Sequence, residues 1–276
     1  MLDKNLIIKS VKRSLEEDDV LNDLTKLALL EKGQEITEAS VKTKENCVIS
    51  GIPWFNEAFN QLDPNINISW NFKEGDKVSS GLDICFLKGK AQSILSAERT
   101  ALNFLQFMSG ISTKTNSYLD LLGNSKIKLL DTRKTVPGLR YEQKYSTKIA
   151  GIKNHRFNLA DGLMLKDNHL KILGGINNVS YFRKSEDDFF YEIEVNKIIE
   201  IEPALKLKPD IIMFDNFKTD EILEGINIVK KKCKIEVSGL KSEMELLNLS
   251  KLDIDYISMG DLTKNIKAID FSLNLK

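Results

Sequence analysis

Chemistry-bearing side chains crowd into one stretch of this 276-residue chain. Between Lys126 and His169 there are 10 Lys and Arg against 4 Asp and Glu, although the whole chain balances 40 basic with 40 acidic residues. Both histidines, His155 and His169, lie in the same stretch. Arg and His at the turn Asn154-His155-Arg156 suit two-pronged recognition of carboxylates, because a guanidinium presents parallel N–H groups in one plane. Farther on come Glu194, Asp215-Asn216, Ser238-Gly239 and Gly260. Carboxylates set apart from the cations suit a metal-chelated phosphate, and glycine turns expose backbone N–H groups to a second phosphate. Lys144 and Lys148 read instead as the solvated basic face of a helix.

The elements that must position these residues are six short apolar runs. They are KIKLLD ending at Asp131, DGLMLK at Lys166, FYEIEV at Val195, DIIMFD at Asp215, CKIEV at Val237 and DIDYISM at Met259. Their ends fall 20 to 35 residues apart, with helix-length stretches between them, which is the cadence of a repeated βα unit. An α/β barrel, incomplete at six strands, is the economical reading, and a doubly wound open sheet is the alternative. In a barrel the strands' C-terminal ends share one mouth. Here the first two carry Arg133, Lys134 and Lys166, the next two Glu194 and Asp215, and the last two Ser238, Gly239 and Gly260. Before Gly110 the rhythm differs. Ile7 to Leu15 has helical spacing, Ile36 to Ile49, Ile66 to Phe72 and Leu82 to Leu87 read as strands, Pro53 opens a helix, and Ser93 to Met108 reads as another.

Composition narrows the function. A formal charge of zero argues against a general nucleic-acid binder, and the basic stretch lacks the interleaved aromatics of a base-stacking surface. No apolar run reaches a membrane span, and the N-terminal sequence lacks a signal peptide's apolar core. Cys47, Cys85 and Cys233 are odd in number and form no CxxC pair, which suits a reducing cytoplasm.

At these residues the sequence resembles the quinolinate phosphoribosyltransferases. The resemblance is carried by AERTALNFLQFMSGIST (97–113), DTRKTVPGLR (131–140), KNHRFNLADGLMLKDNH (153–169), EIEV (192–195), IIMFDN (211–216), EVSG (236–239) and YISMGDLT (256–263). It implies an N-terminal α/β sandwich over 1–111, joined by the returning tail 266–276, and an open α/β barrel over 112–265 of the type II phosphoribosyltransferase class. The implied reaction joins quinolinate to 5-phosphoribosyl 1-pyrophosphate with Mg²⁺, giving nicotinate mononucleotide, pyrophosphate and CO2 in de novo NAD synthesis. A related transferase acting on a different acid or acceptor is the alternative.

Carried over position by position, the resemblance makes Arg133, His155, Arg156 and Lys166 the quinolinate pocket. Arg99 reaches it from the neighbouring subunit of a homodimer, and assembly into a hexamer is left open. Lys134 lies between the substrates, Glu194 and Asp215 face the ribose and its magnesium (through substrate or water), and Ser238, Gly239, Gly260 and Lys264 serve the phosphates. Lys134, Lys166, Glu194 and Asp215 are the implied catalytic set. Three departures stand out: Leu240 replaces the second glycine of an SGG turn, Lys264 stands where histidine is frequent, and Ala150-Gly151-Ile152 replaces a GGG.

Overall fold

The computed structural model describes residues 2–181, 188–240 and 242–276. In chain order the elements are α1 (Lys4–Glu17), α2 (Lys26–Leu29), β1 (Ile36–Thr43), β2 (Cys47–Val48), α3 (Ile52–Leu62), β3 (Asn67–Trp70), β4 (Lys77–Val78), β5 (Asp83–Lys90) and α4 (Ala91–Leu122). They continue with β6 (Lys128–Leu130), α5 (Arg140–Ile149), β7 (Gly162–Leu165), α6 (Asp167–Ile172), β8 (Phe190–Val195), α7 (Ile201–Lys206), β9 (Ile211–Asp215), α8 (Thr219–Val229), β10 (Lys234–Ser238), α9 (Glu243–Leu249), β11 (Tyr256–Ser258), α10 (Asp261–Lys264) and β12 (Phe271–Leu275). Two compact units divide them. One comprises Met1–Asn116, Val136–Gly151 and Asn265–Lys276, and the other Ser117–Thr135 and Ile152–Lys264.

The first unit is built on an antiparallel sheet of order β12-β1-β5-β3, with β2 and β4 forming a small second pair. Asp3 caps α1 by accepting the Asn5 and Leu6 amides, and Ile7, Val11 and Leu15 form its buried stripe. Trp54, Phe55 and Phe59 of α3 fill the core with Ile84, Cys85 and Leu87 of β5. The C-terminal tail, Asn265–Lys276, belongs to this unit. The Lys267 carbonyl crosses α4 so closely at Gly110 that a Cβ there would collide with it. The Ile269 amide then donates to Gln106 O at 3.1 Å before β12 joins the sheet.

Helix α5 corrects one expectation. Lys144 is buried, at 1% exposure, while Lys148 on the same helix is exposed. Glu142, Gln143, Ser146 and Thr147 are buried beside it. Such polar residues are tolerated inside because they find partners. Trp54 Nε1 donates to Glu142 at 3.2 Å, the Val136 amide to Gln143 Oε1 at 2.6 Å, and Ser112 Oγ to the Ser146 carbonyl at 2.8 Å. Composition alone could not separate this helix from a solvated one.

The second unit is a parallel sheet of order β6-β11-β10-β9-β8-β7. From β7 to β11 the order is sequential with no switch point, and the first strand, β6, pairs with the last. That connectivity wraps the sheet into an open barrel and excludes the doubly wound alternative, whose strand order reverses midway. A parallel bridge from Leu130 to Lys153 adds one residue's worth of strand beside β6.

Side chains alternate along each strand. Tyr191, Ile193 and Val195 of β8, Ile212 and Phe214 of β9, and Ile235 and Val237 of β10 pack into the apolar cluster under the helices. The intervening Glu192, Glu194, Met213, Asp215, Glu236 and Ser238 therefore occupy the other face. Barrel interiors are ordinarily filled by bulky aliphatics. This one carries carboxylates.

Candidate active site

The strand ends deliver the expected groups. Glu194 closes β8 at 6% exposure, and Lys166, just past β7, places Nζ 2.7 Å from Glu194 Oε2. Asp215 ends β9 and Ser238 ends β10. These strands are adjacent and in register at this pair, and Ser238 Oγ donates to Asp215 Oδ1. Asn216 donates its side-chain amide to Asp215 Oδ2 at 2.7 Å and its backbone N–H to the Ser238 carbonyl. It sits in the left-handed region with φ 57°, a conformation asparagine tolerates better than most residues. Gly239 packs against it, and with φ 85° no other residue fits there without strain.

Gly260, after β11, lies against the Lys134 side chain; a Cβ would come within 2.7 Å of Lys134 Cδ. The Thr263 hydroxyl donates to the Lys134 carbonyl at 2.8 Å, and Lys264 stands exposed at the end of α10. Lys134, Gly260 and α10 thus form one corner.

The turn Asn154-His155-Arg156 is clamped from below. Asp131, fully buried at the end of β6, accepts the Asn154 side-chain amide and the His155 backbone N–H. Arg156 is 8% exposed and donates Nη1 to the Gly162 carbonyl at 3.0 Å. Burial, followed by the nearby Arg133 charge, pulls Arg156 below its usual range. Arg133 Nε is itself buried without a hydrogen-bond partner among the described residues. Two neighbouring guanidiniums, one with an unsatisfied donor, suit an anion.

The His155 ring turns into the barrel. Its Nδ1 accepts the Arg156 backbone N–H at 2.7 Å, and its Nε2 lies 3.1 Å from Glu192 and 3.5 Å from Glu236. Burial pushes the imidazole down and the two carboxylates push it up. The Arg156 amide decides where a ring proton sits. It needs the lone pair on Nδ1, so the proton lies on Nε2, facing the carboxylates. Burial first, then the Glu236 charge, raises Glu192 above the usual carboxylate range.

Below this trio, at the strands' N-terminal ends, a cavity of about 520 Å³ extends from Phe190, Lys234 and Tyr256 up to His155 and Arg156. In the first unit, Arg99 projects from α4 exposed, and it lines a separate cavity of about 340 Å³ with Glu17, Asp18, Asn103 and Leu139.

Asp131, Glu192, Glu236 and Asn216 carry no role from sequence motifs alone, yet Asp131 and Asn216 tie the site's turns together and Glu192 and Glu236 lie against His155. The signal was present for two of them. Glu192 precedes Glu194, and Glu236 precedes Ser238, by two residues, and a spacing of two shares a strand face.

An open α/β barrel whose mouth pairs cations with carboxylates and phosphate-sized glycine turns defines an enzyme of the phosphoribosyl-transfer class. The family model for the quinolinate phosphoribosyl transferase C-terminal domain matches residues 111–274, and that for the N-terminal domain matches 23–109. The chain belongs to the quinolinate phosphoribosyltransferase family. It is 36% identical to the "Probable nicotinate-nucleotide pyrophosphorylase (carboxylating)" of Methanocaldococcus jannaschii, covering 99% of this chain and 98% of that one. It is 32% identical to the quinolinate phosphoribosyltransferase (decarboxylating) 1b of Nicotiana tabacum, covering 96% and 81%. The solved nicotinate-nucleotide pyrophosphorylase of Francisella tularensis superposes with a TM-score of 0.92 at 38% identity, over 100% of this chain and 98% of that one. Among the described residues no helix is long and apolar enough to cross a membrane.

Proposed function

We propose that this enzyme transfers the phosphoribosyl group of 5-phosphoribosyl 1-pyrophosphate to quinolinate and releases CO2, forming nicotinate mononucleotide in NAD synthesis. The observation that carries the reading is the buried, unsatisfied Arg133 Nε, on a guanidinium close enough to the buried Arg156 for its charge to act on it. A pyridine dicarboxylate supplies the missing acceptors, and fixed cations away from water bind a dianion far better than exposed ones do. Arg133, His155, Arg156 and Lys166 form the quinolinate side. Lys134, Ser238, Gly239, Gly260 and Lys264 form the phosphate side.

In the reaction the C1′–oxygen bond of the donor breaks and its electrons leave with pyrophosphate. The pyridine nitrogen then forms the new bond to C1′. Positive charge that develops on the ribose faces Glu194 and Asp215, whose fixed carboxylates stabilise it. The ring nitrogen is now cationic. Its charge stabilises the electron pair left on C2 when the C2–carboxylate bond breaks; CO2 departs, and that pair takes up a proton. Lys166, paired with Glu194, holds that carboxylate in place while its own charge remains close to the acid.

Glu194 and Asp215 also suit Mg²⁺. Both offer hard oxygens at the rim, and the lone pairs not used by Lys166, Asn216 and Ser238 remain for the ion's own water shell. The ion would offset the charge of the departing pyrophosphate.

A homodimer with Arg99 completing the neighbour's site is part of the same reading. It is supported by the exposed row Leu21, Leu24, Leu27 and Leu30, each 72–78% exposed. That row is tied to α4 through Asp23 and Ser96 at 2.7 Å, one turn before Arg99. The test is CO2 release with quinolinate against nicotinate as acceptor, in the presence of the donor and Mg²⁺. Turnover of quinolinate with CO2 release is expected, and activity with nicotinate but none with quinolinate would overturn the reading.

A further inference from the structure

Two carboxylates inside the barrel have no task in the reaction as written. Glu192 and Glu236 are 0% exposed. Apart from His155 Nε2, 3.1 Å from Glu192 and 3.5 Å from Glu236, their four oxygens find no hydrogen-bond donor among the described residues. Burying such groups is costly, so their contact with His155 must serve the fold or the site.

One candidate role is a divalent-metal site, since His155, Glu192 and Glu236 bring ligand atoms within 4.8 Å of one another. The Arg156 amide speaks against it. For Nε2 to bind a metal, the ring proton must move to Nδ1, where the Arg156 N–H already points at 2.7 Å. Two N–H groups would then oppose each other. The ring is oriented to donate from Nε2.

We propose that Glu192 and Glu236 are positioning residues that act on Arg156 through His155. They accept the Nε2–H, which fixes the ring so that Nδ1 holds the Arg156 amide. Asp131 holds the same turn from the other side, through Asn154 and the His155 amide. The Arg156 guanidinium is thereby aimed before substrate arrives. His155, with both ring nitrogens engaged inside the barrel, is a positioning residue too and makes no ring-nitrogen bond to quinolinate. The inference rests on Arg156 as a carboxylate-binding residue in the reaction proposed above.

The experiment compares the wild type with the pairs E192M/E236M and E192Q/E236Q. Methionine keeps the volume and removes the acceptors, while glutamine retains a carbonyl that accepts from Nε2. Quinolinate and the donor are titrated separately by calorimetry. The methionine pair should weaken quinolinate about tenfold or more, leave the donor within about twofold, and be rescued largely by the glutamine pair. Unchanged quinolinate binding in the methionine pair, or equal loss of both ligands, would overturn the inference and leave the reaction standing. Wild-type protein that binds no quinolinate overturns both.

Should the methionine pair not fold, the wild type still decides. With only two histidines, a ¹⁵N imidazole spectrum holds two rings, and a His169 variant assigns them. The His155 Nε2–H signal should persist when quinolinate is added. Its loss, or transfer of the proton to Nδ1, marks a direct ligand and sinks the positioning role.

Discussion

Gly260 and Lys134 are packed so closely that the lysine's path depends on the missing side chain, since a Cβ at 260 would lie 2.7 Å from Lys134 Cδ. Gly260 has no left-handed backbone conformation to protect, so alanine there tests space alone. Gly260→Ala should displace Lys134 and raise the KM for 5-phosphoribosyl 1-pyrophosphate about tenfold, which corresponds to 1.4 kcal/mol. Quinolinate affinity should stay within about twofold. A rise confined to quinolinate would contradict the assignment of Lys134 to the donor.

Arg133 and Arg156 should behave in the opposite way. Removing one partner of a desolvated, charge-assisted pair costs about 2–5 kcal/mol. Arg156→Ala is expected to weaken quinolinate by roughly 30-fold or more, with donor affinity nearly intact. Calorimetry on each ligand separately checks this, and equal losses would count against a dedicated acid pocket.

The proposed sharing of the site between subunits makes a mixing prediction. Arg99→Ala and Arg156→Ala proteins, each nearly inactive alone, should regain activity when mixed and allowed to exchange subunits. One site of each mixed dimer then has both arginines. Random exchange makes half of the dimers mixed, so recovery approaches roughly a quarter of wild-type activity. Demonstrated exchange with no recovery would show that Arg99 serves its own subunit.

Glu74 gives a pH prediction remote from the chemistry. It accepts the Gly51 and Ile52 amides at 2.8 and 2.6 Å at the start of α3, and burial pushes its carboxyl up from 4.5 to about 7. The folded state therefore holds a proton that the unfolded chain has already lost. The stability gained from that proton is complete below about pH 4.5 and disappears as pH rises through 7. Its size is on the order of 3 kcal/mol. Glu74→Gln, which keeps the acceptor oxygen and cannot ionise, should flatten the fall in melting temperature between pH 5 and 8. An unchanged slope would mean Glu74 is ionised throughout.

Much of the barrel was legible along the chain. FYEIEV encodes a strand whose alternate residues must part company, and the observed β8 sends Tyr191, Ile193 and Val195 to the helices while Glu192 and Glu194 face the other way. The ends at Arg133, Lys166, Glu194, Asp215 and Ser238 were equally readable, because a βα cadence places strand ends on one rim. Lys144 was misread because a ten-residue helix rich in Lys, Gln, Ser and Thr looks solvated whether or not its partners are supplied from distant elements.

Residue types and period-two spacing, which depend only on covalent geometry, determined which groups the barrel mouth holds. Direction and protonation were decided by tertiary structure alone. That His155 turns inward, that Arg133 keeps an unsatisfied donor, and that Gly260 makes room for Lys134 all depend on contacts between strands far apart in the chain. Distances of a few ångströms between such residues set the electrostatics, and no local pattern in the sequence records them.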